Sequence, residues 1–155
     1  MEEHSARYAH TQKAPLCLIL YLAALACLLP IPSVKDAVGV FVCVGLGLML
    51  AVIGAAFHHL TVEDWGAELS VRFGPLPLFR RIVRYNDIQT SEVGRTLFLD
   101  GWGIHYSIRG GWVWNIWGRD CVRIRFVDGR VLRIGTDDAD GLNQFLHDVI
   151  GRQID

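Results

Sequence analysis

With 155 residues, 52% of them hydrophobic, and a formal net charge of −1, the chain lacks the basic excess of a nucleic-acid binder. Its four cysteines have neither metal-knuckle nor disulfide spacing: Cys17, Cys27 and Cys43 lie inside apolar runs and Cys121 stands alone. Composition changes sharply near residue 60, because only Glu2, Glu3, Arg7, Lys13, Lys35 and Asp36 are charged before His58, while twelve Arg, thirteen acids and all five Trp follow Leu60.

The chain therefore divides into a tail over residues 1–13, an apolar region over 14–58 and one small domain over 61–155, which is long enough for a single core. Ala37 to Phe57 is an uncharged run whose length as a helix matches a bilayer's hydrocarbon. A second apolar run, Ala14 to Ile31, precedes it across the turn PSVKD, so the pair reads as a transmembrane hairpin with spans near 14–32 and 36–58. Ala24-Leu25-Ala26-Cys27 faintly resembles a lipoprotein cleavage box, but the apolar run continues through Ile31, which favours an uncleaved helix.

Within the second run Gly39, Cys43, Gly47 and Ala51 recur every four residues and line one helix face with small side chains. Such a stripe lets backbones approach, either within the hairpin or against a second copy in a homo-oligomer. No charge lies within either span, which argues against an ion or proton path. Arg7 and Lys13 on one flank, and the Arg residues downstream on the other, against a neutral turn, place both termini in the cytoplasm by the positive-inside rule.

Beyond residue 60 the period changes from helical to alternating. Leu69, Val71 and Phe73 alternate with Ser70 and Arg72 up to Gly74-Pro75, and further strands are expected at Phe79 to Tyr85, Ile88 to Val93 and Trp112 to Ile116. Val122, Ile124 and Phe126, then Leu132 and Ile134, form the last hairpin. A three-residue loop, Val127-Asp128-Gly129 with Gly129 left-handed, pairs Ile124 with Leu132 and Val122 with Ile134, whereas a two-residue loop would set Arg125 against Leu132 on one face. Thr136, Asp137 and Asp138 then offer caps for an amphipathic helix with Leu142, Phe145, Leu146, Val149 and Ile150 on one face.

Three passages, LTVEDWGAELSVRFGPLPLFRRIVRYNDIQTSEV, GWGIHYSIRGGWVWNIWGRDCVRIRFVDG and RVLRIGTDDADGLNQFL, resemble a bacterial pleckstrin-homology (PH-like) domain carried behind two transmembrane helices. The resemblance implies a mainly β fold within an α+β chain: a bent antiparallel barrel of about seven strands plugged by one C-terminal helix. It also implies a binding role, since some eukaryotic relatives hold phosphoinositides through basic residues around the first strand loop. Here that region supplies Arg72, Arg80, Arg81 and Arg84 in a different spacing around an apolar loop.

No nucleophile with its base stands out, and the glycines of Gly101-Trp102-Gly103 and Gly110-Gly111 precede no helix, so they read as turns. His58-His59 lacks a third ligand nearby, and no metal or cofactor is expected. The expected function is a non-enzymatic, membrane-anchored scaffold for a protein partner. Its candidate surfaces are Arg72, Arg80, Arg81 and Arg84, the outward row Arg123, Arg125 and Arg133, and any tryptophan left exposed. The alternative is a sensor of anionic lipid headgroups that uses the same arginines.

Overall fold

The computed structural model describes residues 7–75 and 78–152. The first described element is a strand, β1 (Ala9–Lys13), followed by two helices, α1 (Leu16–Leu28) and α2 (Ala37–Ala56), joined through a 3-10 turn at Ile31–Ser33. It continues through β2 (His59–Asp64), β3 (Glu68–Phe73), β4 (Phe79–Arg84), β5 (Ile88–Arg95), β6 (Gly103–Tyr106), β7 (Trp112–Asn115), β8 (Asp120–Phe126) and β9 (Val131–Gly135) to α3 (Ala139–Gly151).

This is not a helical hairpin followed by one barrel, and the expected fold class is corrected on three points. Residues 9–13 are not a free tail: β1 pairs antiparallel with β2, Lys13 opposite His59, so a strand precedes the helices and is built into the domain. Among the described residues only α2 is long and apolar enough to cross a membrane; α1 has 13 residues, about 20 Å at 1.5 Å per residue. Among the described residues nine strands form two sheets, β1-β2-β3-β4 and β5-β8-β9-β7-β6, and the second is mixed because β7 runs parallel to β9. The chain changes sheets at the 3-10 turn Tyr85–Asp87, where the Tyr85 amide still donates to the Ala67 carbonyl at 3.3 Å and its side chain is buried. The middle of the expected GPLPL connection, residues 76–77, lies outside the described residues.

Between the sheets lies one core: Leu60, Val62, Leu69, Val71, Phe73 and Val83 from the first, Trp114, Val122, Ile124, Phe126, Leu132 and Ile134 from the second, closed by Leu142, Leu146 and Val149 of α3. The last hairpin has the register that its alternation predicts, with Ile124 opposite Leu132 and Val122 opposite Ile134, and Gly129 takes φ +82° in the loop. Asp138 caps α3 by accepting from the Gly141 amide. Its other oxygen accepts from the Tyr8 hydroxyl just ahead of β1, and the Tyr8 ring stacks on Phe145, so the N-terminal strand is tied to the last helix.

α1 and α2 pack against one another. A Cβ on Gly47 would meet the Leu28 side chain at 2.7 Å, and one on Gly54 would meet the Tyr21 ring at 3.0 Å. Gly47 is buried, with Cys43 and Ala51 half-buried on the same face, whereas Gly39 lies beside Val34 and the capping carboxylate of Asp36. At the helix exit, Phe57 meets Phe73 with ring centroids 5.2 Å apart, and Phe73 in turn meets Trp114 at 5.6 Å. These aromatic contacts run from the base of the helices into the domain core.

Candidate functional site

The seven candidate arginines do not converge. On the first sheet Arg72 and Arg80 are directly opposite and share the solvent face, with Arg84 opposite Glu68 along the same edge strand. Arg72 lies 3.6 Å from Glu63, and the Arg80 guanidinium sits over the Trp65 ring at 4.0 Å. An acid engages Arg72 and an aromatic ring engages Arg80 on this basic face. Arg81 pairs with the buried Val71 and so belongs to the core-facing side of β4, away from Arg72 and Arg80. It shares with Arg84 a cleft of about 270 Å³ that Glu68, Asp87, Phe126 and Arg130 also line. Partial burial, reinforced by the nearby Arg130 charge, lowers its pKa.

The expected outward row on the last hairpin also divides. Arg123 ion-pairs with Glu92 across the neighbouring strand, and Arg125 is exposed. Arg133, directly opposite Arg123, is only 7% exposed and donates to the Gly110 carbonyl at 2.6 Å, so it fastens the turn before β7 instead of projecting into solvent.

The tryptophans likewise take several roles. Trp114 fills the core, while Trp112, two residues earlier on the same strand, is exposed beside Tyr106. Trp102 and Trp117, far apart in the chain, stack with centroids 4.6 Å apart and planes 19° from parallel. They remain 47% and 37% exposed, and with Leu97, Phe98, Gly101, Gly118 and Arg119 they line an open cleft of about 410 Å³. Phe98, on the adjoining 3-10 turn, is 83% exposed.

Asn115, at the end of β7, holds this pair. Its side chain is fully buried; Nδ2 donates to the carbonyls of Gly101 and Gly118, at 3.3 and 3.0 Å, and Oδ1 accepts from the Trp117 amide at 3.2 Å. One amide thus ties together the turns that carry both indoles, since an Asn can donate twice and accept at once. Gln12 on β1 donates to the Trp117 carbonyl at 3.1 Å. Neither Asn115 nor Gln12 is marked by spacing or motif; the only local hint is an amide placed between the glycine turns GWG and WGR.

A second network fixes the β2–β3 turn. The Asp64 side chain, 1% exposed, accepts from the Tyr85 hydroxyl at 2.7 Å, the Gly66 amide at 2.9 Å and Arg7 Nε at 3.1 Å. Burial raises its pKa, but these donors outweigh burial and hold it below the usual carboxylate value. His58 and His59 face one another with Nδ1 atoms 3.2 Å apart, and burial lowers the pKa of His59. Among the described residues no group of three or more His, Cys, Asp or Glu could hold a metal ion. Comparison of the chain with protein-family models and with curated proteins finds no match.

Proposed function

We propose that this protein is a non-enzymatic, membrane-anchored scaffold whose β domain is held at the cytoplasmic surface for a protein partner. The observation that carries the reading is the closure of the helix pair by β1 and β2. The chain leaves the domain at Lys13 and returns at His59, directly opposite, so both strands stay on one side of whatever the helices enter. Between them α2 carries Val38, Phe41, Val42, Leu48, Met49 and Val52 exposed along a helix of bilayer length, an arrangement water disfavours and lipid accepts. The resemblance to PH-like domains supports a binding role over catalysis. The headgroup-sensor alternative is less well supported, because the arginines divide among separate places and many are engaged by acids, an aromatic or a carbonyl.

Alkaline carbonate extraction and cysteine labelling test the anchor. The protein should stay with the membrane pellet. In intact cells Asn86→Cys, exposed on the domain, should react with a membrane-impermeant maleimide only after lysis. Release by carbonate, or labelling of Asn86→Cys in intact cells, would overturn the reading.

A further inference from the structure

We infer that Phe98, Trp102 and Trp117 form a bilayer-interface anchor, seated at the boundary between headgroups and acyl chains beside the base of the helix pair. The inference rests on the membrane reading above and adds to it a second, aromatic attachment and a fixed attitude of the domain.

Depth is the first reason. Trp102 and Gly103 line a cleft of about 160 Å³ together with Leu20, Ile53, Phe57 and Ile116, so the aromatic loop lies alongside the helices themselves. Ile53 is three residues from the end of α2, and at 1.5 Å per residue that is about 4.5 Å inside the helix end. When Ala37–Ala56 fills a hydrocarbon layer of about 30 Å, Trp102 therefore stands at the interface, the layer where indole with its apolar body and polar N–H is most at home.

Chemistry is the second. The exposed apolar surface continues from the helix base through Trp102 and Trp117 to Phe98, and Arg119 borders the same cleft, where a guanidinium would meet lipid phosphates. The third is rigidity. Asn115 and Gln12 fix the backbones of Trp117 and of the Gly101 and Gly118 turns, so the stacked pair is presented without further ordering.

Trp fluorescence of the full chain, reconstituted in phosphatidylcholine vesicles doped with anionic lipid, tests this. Lipids brominated at carbons 6 and 7 serve as a shallow membrane quencher, and iodide serves as an aqueous one. Two variants isolate the site: the double variant Trp102→Phe/Trp117→Phe, whose missing emission is that of the pair, and Phe98→Trp, whose added emission reports a position where packing constrains least. The bromolipid should at least halve both difference signals, and iodide should leave them nearly unchanged. Signals quenched by iodide alone would show the loop in water, and signals quenched by neither would show it covered by protein; either overturns the inference. Co-flotation of the protein with vesicles separates the two readings. Failure to co-float removes the anchor and this inference together, whereas co-flotation with an unquenched pair removes only this inference.

Discussion

In the helix pair most of the large apolar side chains point outward and glycines sit at the contact; in the sheets the large apolar side chains point inward. Gly47 and Gly54 let α1 and α2 approach, while Phe41, Leu48 and Val52 are left uncovered. Across the two sheets Leu69, Val71, Val122 and Leu132 are wholly buried and the arginines lie mainly at the periphery. Burial of apolar area in water stabilises the sheets by roughly 25 cal/mol per Å², but within lipid the same term does not draw helices together, so close backbone packing takes its place. On the proposed membrane reading each region suits a different solvent, and the residues that join them are packed closely.

Gly74 is the most sensitive of these, and the largest effect is expected there. It sits at the end of β3 with φ +63°, and a Cβ would come within 2.5 Å of the Ala56 carbonyl oxygen and 2.6 Å of that of Ala55, at the foot of α2. Gly74→Val combines a left-handed β-branched residue with a clash against backbone, two penalties of about 1–3 kcal/mol each. A loss of about 3 kcal/mol or more is expected, read as a lowered Tm in detergent and as new protease sensitivity between residues 56 and 75. A variant as stable as the parent would mean that the helices and the sheet are not locked together here.

Asp64 tests the water-facing region alone. Its folded pKa lies below the unfolded value of about 3.9, so its contribution is complete above that value and is lost as pH falls through the folded one. Asp64→Asn, which replaces a carboxylate accepting from Arg7, Gly66 and Tyr85 with an amide, should cost about 2 kcal/mol at pH 7. Its stability should then change less than the parent's as pH falls below about 4, where the lowered folded pKa makes the parent lose this contribution. Parallel pH profiles would show that the network does not depend on the charge.

What the sequence displays is what neighbours along the chain can dictate. The alternation of residues 69–73, 122–126 and 132–134 fixes strands, faces and even the three-residue loop, because each is a local pattern. β1 is invisible in Ala9–Lys13, which has no large apolar residue; it is a strand because β2, beyond both helices, offers it a partner. The parallel meeting of β7 with β9 and the sheet change at Tyr85 are equally non-local, so a single barrel was the simpler expectation and the wrong one. At the candidate site the exposed tryptophans are legible as a class, but their stacking depends on Asn115, and no period in the chain marks it.

The smallest effect sharpens the comparison within one sheet. Arg123 and Arg133 occupy opposite positions on one face, and alternation assigns both to the outside. Alternation specifies a face and cannot say whether that face is later covered: here the turn at Gly110 folds over Arg133 and accepts its guanidinium, while Arg123 meets only Glu92 at the surface. Removing Arg133 leaves the half-buried Gly110 carbonyl without its charged donor, so Arg133→Met should cost about 1–2 kcal/mol. Arg123→Ala breaks an exposed ion pair and should change stability by less than about 0.5 kcal/mol, an amount that moderate salt would further diminish. Chemical denaturation of the two variants at low and high ionic strength checks the difference. Equal costs would mean that both arginines are solvated alike, and that the Gly110 contact contributes nothing.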